Sequence, residues 1–216
     1  EPFGGLGCDA LTTVGVLEQL GYGCRDNGLI FSINAHMWTV AMPLVDFGSD
    51  EQKQKFLPGL CNGELIAGNA MSEPEAGSDA YSLRTTAERK GDRYVLNGSK
   101  RYISGASYAD YAVLMAVTDP KAGPAGISAF FVDLKAEGAS VRDDYGVMSG
   151  KGAHGDITLE NVRVPVENLI GEEGKGFKLA MGRITVNRLL HCPTMLGMAG
   201  LALQLSIRPA QTRSQF

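Results

Sequence analysis

The sequence predicts an α+β fold: an N-terminal helical segment, a central antiparallel β-barrel or sandwich domain, and a helical C-terminal stretch. Three observations predict it. Residues 1–66 carry apolar side chains at helical spacing between capping and stop signals. Residues 67–177 switch to short β-prone runs divided by turn residues. No long helical pattern separates those runs, which argues for antiparallel pairing and against a doubly wound α/β sheet. From residue 178 to 216 the spacing is helical again and mostly apolar.

Each element has its own signal. Asp9 can cap a helix over 10–20, with Leu11, Val14, Leu17 and Leu20 as a partial apolar stripe and Gly21 and Gly23 as its stop. A second helix fits 29–45, apolar nearly all round, with Pro43 marking a kink or an end. Ser49 and Gln52 form a capping box for a third helix, which Pro58-Gly59 should end. In the middle zone, 93–96 and 100–103 flank Asn97-Gly98, a short-hairpin signal, and Gly91-Asp92 marks another tight turn. Residues 111–117, 127–134 and 156–164 read as further strands. In the last zone a helix fits 177–190 and another 195–206, divided by Pro193, and Pro209 predicts a kink or break. A helical pair this apolar should pack against more chain or a partner subunit.

Composition narrows the function classes. The chain has 216 residues, 44% apolar and 20% charged, which is ordinary for a globular protein and too apolar for a disordered one. Its formal net charge of −4 argues against a nucleic-acid partner, which needs clustered Lys and Arg. No unbroken apolar run of about 18 residues exists. The best, 189–205, is interrupted by His191, Pro193, Thr194 and Gln204, so no membrane span is expected. The first residues show no charged region followed by an apolar core, so secretion is not expected either. Cys8, Cys24, Cys61 and Cys192 form no CxxC pair, and His36, His154 and His191 lack ligand spacing. Reduced thiols are expected, with no disulfide framework and no metal site.

Several motifs fail on context. Gly150-Lys151-Gly152-Ala153-His154-Gly155 matches GxGxxG, but a strand-like run follows it where a dinucleotide site needs a helix N-terminus. Asn97-Gly98-Ser99 matches a glycosylation acceptor, yet reads better as a turn. There is no GxSxG elbow and no Walker A loop. The adjacent carboxylates Asp143 with Asp144, and Glu172 with Glu173, read as solvated surface. Two segments stand out. Glu73-Pro74-Glu75-Ala76-Gly77-Ser78-Asp79 is a compact polar loop after an apolar strand, readable as a turn with side-chain caps or as a ligand loop. In Lys100-Arg101-Tyr102-Ile103-Ser104-Gly105, an aromatic two residues before a hydroxyl puts both on one strand face. Such a pair suits an ordinary half-buried strand, or a flat heteroaromatic ligand that needs a ring and an edge donor.

Taken in order, these segments resemble the flavin-dependent acyl-CoA dehydrogenases. The matching stretches are Gly4-Gly5-Leu6-Gly7 with Glu18-Gln19-Leu20-Gly21, the run 47–58, the loop 71–79, the strand 96–104, Asn161-Val162-Arg163-Val164-Pro165 with Asn168-Leu169-Ile170-Gly171, and the segment Arg213 to Phe216. The resemblance implies an N-terminal helical domain (1–66), a β-barrel domain (67–177) and the first helices of a C-terminal bundle (178–216). It implies FAD as cofactor, contacted by Asn69, Met71, Ser72, Gly77, Ser78, Tyr102, Ile103 and Ser104, with Arg213 reaching the FAD of a neighbouring subunit in a homodimer or homotetramer. Ser78, Thr185, Asn187 and Arg188 would meet the acyl-CoA. The implied reaction is α,β-dehydrogenation of an acyl thioester, with an electron-transferring flavoprotein or similar acceptor, in a bacterial cytoplasm or mitochondrial matrix.

The departures from that pattern matter as much. The family's usual catalytic Glu lies far along the bundle, in a region with no counterpart here, so the resemblance puts the base beyond Phe216. A minority of members place it where this chain has Asn187, which is no base. Asn69 and Tyr102 stand where an aromatic and a tryptophan are commoner. The expected catalytic set is therefore empty, and the resemblance implies an internal piece of a longer enzyme or a truncated homologue. Two other readings stay open: a non-catalytic degenerate homologue, and a dehydrogenase of acyl groups carried on a protein.

Overall fold

In the computed structural model, residues 2–143, 145–147 and 150–214 are described. Helix α1 (Ala10–Gly23) starts as expected, with the Asp9 carboxylate accepting the Thr12 amide at 2.7 Å. Gly21 does not stop it. α2 (Asn27–His36), a π-helical turn (Met37–Ala41) and α3 (Met42–Phe47) follow as one rod. Pro43 lies in the first turn of α3, and the widened turn before it absorbs the amide that proline lacks. The Ser49–Gln52 capping box opens α4 (Asp50–Asn62) as predicted, but the helix runs on through Pro58. Buried Phe56, Leu57 and Leu60 hold it to the core on both sides of that proline, and this outweighs one missing hydrogen bond.

The strands are β1 (Ala67–Ala70), β2 (Thr86–Lys90), β3 (Arg93–Ser104), β4 (Tyr111–Val117), β5 (Ile127–Asp133), β6 (Ala139–Arg142), β7 (Gly146–Val147), β8 (Gly150–Lys151), β9 (His154–Pro165) and β10 (Leu169–Ile170). Eight of them form one sheet ordered β10-β5-β4-β2-β3-β9-β6, with β1 also on β4, and β7 pairs with β8. The sheet is mostly antiparallel, but β1 and β2 both run parallel to β4, which corrects the purely antiparallel expectation. Asn97-Gly98 is no hairpin either. β3 is continuous through it, and the tight turn is Gly91-Asp92 between β2 and β3. Opposite Asn97 it is β9 that bulges, with Glu160 and Asn161 facing Asn97 alone, and the Asn97 carboxamide pairs with Asn161 across the gap. Gly98 is required there, because a Cβ would lie 2.6 Å from the Thr85 hydroxyl.

β4 and β5 are buried on both faces, which is why they read as unbroken apolar runs. Val113, Met115 and Phe131 pack toward the helices, with Val40, Leu44, Phe56 and Phe177. Leu114, Phe130 and Val132 pack toward β3 and β9, with Tyr94, Leu96, Ile157 and Val162.

α5 (Gly176–Leu190) and α6 (Cys192–Thr212) follow the sheet. The expected break at Pro209 is absent, since α6 continues to Thr212. α6 crosses α1 at backbone contact. A Cβ on Gly21 would fall 2.1 Å from the Thr194 carbonyl oxygen, and one on Gly197 would fall 2.0 Å from that of Glu18. The other sides of α5 and α6 leave Leu189, Met195, Leu196 and Leu203 exposed. Two helical stretches, Asn27–Phe47 (21 residues) and Gly176–Thr212 (37 residues), are long and apolar enough by length and composition to cross a membrane. A core helix passes the same test of length and composition, so this does not overturn the expectation of no membrane span. Polar residues such as Asn34 and Thr39 interrupt a run, yet bond back to their own helix. The inner face of the first stretch, with Val40 and Leu44, belongs to the core.

Candidate functional site

A cavity of about 1520 Å³ lies between the N-terminal helices and the ends of β1 and β3, with Ile184, Leu190 and His191 at its α5 edge. Its helical wall is apolar, with Leu17, Phe31, Trp38 and Met42. Its sheet wall carries Gly68, Asn69, Met71 and Ser72 from β1 and the residues after it, and Tyr102, Ile103 and Ser104 from β3. Parallel pairing of β1 on β4 sets the first group, and the Arg101 amide donating to the Ser72 carbonyl at 2.8 Å ties it to the second. Six residues expected at a cofactor thus share one wall. Asn69 Oδ1 is buried there with no hydrogen-bond partner among the described residues.

Beneath that wall lies a buried ion pair. Glu73 accepts from Lys100 Nζ at 2.7 Å and from the amides of Arg84 and Thr85 at 2.6 and 3.1 Å. Lys100 also donates to the Met71 carbonyl at 3.3 Å. The two side chains are 4% and 0% exposed respectively. Burial pushes the Glu73 carboxyl up, but the Lys100 charge and these bonds together hold it below its usual range. Burial pushes the Lys100 ammonium down to about 8, against the opposing pull of Glu73. The pair fastens the 71–79 loop to β3. Sequence reading missed it, because Asn97, Ser99 and Arg101 surround Lys100 in β3 and nothing local marks this lysine as buried. Glu75 does not join Glu73; it pairs with Arg84 at the surface. Glu173 is no idle surface acid, since Tyr94 Oη donates to it at 2.6 Å. Asp144 lies outside the described residues. So does Phe216, the position beyond which the resemblance puts the catalytic base.

Other expected residues lie elsewhere. Gly77 and Ser78 are exposed on the loop and do not line the cavity. On α5, Thr185 is exposed and bonds to the Met181 carbonyl, and Arg188 is exposed. Asn187 is buried, its Oδ1 without a hydrogen-bond partner among the described residues, beside a separate hole of about 10 Å³ shared with Asn69, Thr39 and Arg183. Arg183 pairs with Asp46 and so fixes α5 to α3. Arg213 follows the end of α6, away from the cavity lining. His36 and His191 line the cavity unforeseen. His36 Nε2 bonds to the Leu60 carbonyl at 3.0 Å, and His191 stacks on Phe31. Burial pushes the His191 imidazole down. Among the described residues no three His, Cys, Asp or Glu side chains group as metal ligands do, and the four cysteines are free thiols.

A helical layer against a sheet, with a large cavity between one apolar wall and one hydroxyl-bearing aromatic wall, has the shape and chemistry to suit a partly flat, partly apolar ligand. Residues 1–64 match the acyl-CoA dehydrogenase N-terminal domain and residues 68–162 match the acyl-CoA dehydrogenase middle domain. An acyl-CoA dehydrogenase of Bacillus subtilis (strain 168) is 36% identical over 217 residues, covering 100% of this chain and 57% of that protein. Among solved structures, the prolyl acyl carrier protein oxidase AnaB is 40% identical with a TM-score of 0.94, covering 100% of this chain and 57% of that one. PigA with FAD and proline is 35% identical with a TM-score of 0.94, over 100% of this chain and 56% of that one. The chain belongs to the acyl-CoA dehydrogenase family, whose members are flavoprotein oxidoreductases using FAD. It spans a little over half the length of these relatives.

Proposed function

We propose that this chain supplies the cofactor-facing and thioester-facing walls of an FAD-dependent acyl-CoA dehydrogenase. The observation that carries this reading is the meeting of Ser72, Tyr102 and Ser104 on one cavity wall, beside the unpartnered acceptor Asn69 Oδ1. That donor and acceptor set suits a flat heteroaromatic ring with a polar edge. FAD bound there supplies the acceptor for the hydride that leaves the substrate β-carbon.

The chain's own residues hold and orient. Tyr102 offers a ring face, and Ser72 and Ser104 offer hydroxyls to the polar edge. Asn69, Met71 and Ile103 complete the cofactor contacts within the cavity, and Gly77 and Ser78 serve the cofactor from the exposed loop outside it. Ser78, Thr185, Asn187 and Arg188 serve the CoA portion, and Arg213 serves the cofactor of a neighbouring subunit in a homodimer or homotetramer. Leu17, Phe31 and Trp38 form the apolar wall that takes the acyl chain and excludes water from the reacting carbons. Loss of the α-proton requires a carboxylate. Among the described residues no Asp or Glu lines the cavity, and the Asn187 carboxamide is far too weak a base to accept that proton. The reading therefore gives this chain binding and positioning and places the base outside it, beyond Phe216. It takes the sheet as the family's barrel domain, bounded near residues 66 and 177, and α5 and α6 as the start of its bundle. An electron-transferring flavoprotein or similar acceptor, in a bacterial cytoplasm or mitochondrial matrix, completes it.

A second reading keeps the chemistry and changes the carrier. The likeness to AnaB and PigA, with its TM-scores of 0.94, favours an aminoacyl thioester on a carrier protein. Competing acyl-CoA and acyl-carrier-protein substrates for the parent enzyme separates the two.

The test is spectroscopic first. The 216-residue chain, purified with added FAD, should show a bound-flavin absorbance spectrum and no turnover of acyl-CoA with a dye acceptor. A chain that stays colourless, even within its full-length parent, overturns the flavin assignment. Robust turnover overturns the missing base.

A further inference from the structure

Tyr102 is an aromatic side chain that is 61% exposed and held in an unfavourable backbone conformation, with φ at 58°. It sits in a bulge. Lys100 faces Ile157 and Ile103 faces Gly155, so Arg101 and Tyr102 together oppose Asp156 alone. Such a conformation, outside glycine, persists where surrounding groups enforce it. Here the enforcing groups are visible. The Asp156 carboxylate accepts the Tyr102 amide at 3.3 Å and Arg101 Nε at 3.4 Å. Tyr145 Oη reaches both oxygens of the same carboxylate, at 2.9 and 2.8 Å. The Tyr145 ring then lies against the Tyr102 ring, centroids 4.8 Å apart and tilted by 53°, while the Arg101 guanidinium stands 5.7 Å from the Tyr102 centroid. Tyr145 is half-buried and does not line the cavity. Three elements thus converge on the bulge: β3, β9 and the connection between β6 and β7.

We propose that Tyr145 and Asp156 are positioning residues that brace Tyr102, so that its ring is presented edge-fixed to the flat ligand of the cavity. The inference rests on the flavin reading above for the identity of that ligand. The physical reason is pre-organisation. An exposed tyrosine in a strained bulge samples other conformations, and each of these must be given up on binding. Asp156 removes the backbone freedom and Tyr145 removes the ring freedom. Arg101 screens the carboxylate and stands over the Tyr102 ring.

The brace predicts that Tyr145 acts on the ligand only through Tyr102, which a double-mutant cycle measures in the full chain. Tyr145→Phe keeps the ring and loses its hydroxyl bonds, and it should weaken FAD binding roughly five-fold, the equivalent of about one net hydrogen bond. Tyr145→Ala should weaken it further and shift the visible flavin band. In a Tyr102→Ala background, Tyr145→Ala should have no further effect on either readout. Additive effects in the two backgrounds, with thermal stability unchanged, overturn the proposal. A second arm needs no flavin. Hydrogen exchange at the Tyr102 amide should accelerate in Asp156→Ala and in Tyr145→Phe, and unchanged protection in both variants overturns the brace. A wild-type chain that takes up no FAD while this second arm succeeds overturns the flavin reading and leaves the brace standing.

Discussion

Burial disfavours both charges of the Glu73–Lys100 pair, yet unequally. Among the described residues Glu73 collects two backbone amides besides its cation, whereas Lys100 has one carbonyl besides its anion. Lys100→Met removes one partner and strands the other, so unfolding measured in urea should show a loss of about 3–5 kcal/mol. Lys100→Met combined with Glu73→Gln should recover part of it. A pH series adds a sign. Lys100 gives up its proton near pH 8 when folded and near 10.5 when unfolded. Between those values the unfolded chain binds more protons, so wild-type stability should rise with pH relative to Lys100→Met. A flat difference across that window would remove the buried charge from the account. Lys100 and Glu73 are 27 residues apart in sequence, which is why no local pattern joined them.

Element by element, features set by local chemistry are legible in the sequence. The Asp9 cap, the Ser49 capping box and the runs 111–117 and 156–164 rest on short-range chemistry, and the structure has them. The proline signal misleads at Pro58, where tertiary burial outweighs it, and the asparagine-glycine signal at Asn97-Gly98, where strand pairing does; at Pro209 the exposed helix runs on for three residues with no burial to explain it. Gly21 is the instructive case. It reads as a helix stop and serves as a contact point between α1 and α6. Gly21→Ala and Gly197→Ala should each lower the melting temperature by several degrees, because either methyl meets a carbonyl oxygen and forces the helices apart. Exposed Gly182, with open space around its absent Cβ, should tolerate alanine. Equal melting temperatures for all three variants would contradict the close crossing.

For the molecule as a whole, the site is legible only in part. Ser72, Tyr102 and Ser104 stand out through motifs that a family shares, whereas His36 and His191 reach the cavity, and Tyr145 and Asp156 reach Tyr102, by contacts between residues far apart in sequence. The cavity borrows its walls from both layers, apolar side chains from α1 and α2 and polar ones from β1 and β3. A guest molecule there touches helices and sheet at once, so its occupancy is coupled to keeping them together. At a concentration one hundred times its dissociation constant it adds roughly 2.7 kcal/mol to the folded state. A melting-curve screen of thioesters differing in tail and handle should therefore rank them by upward shift, disclosing through heat alone which tail and handle the two walls prefer.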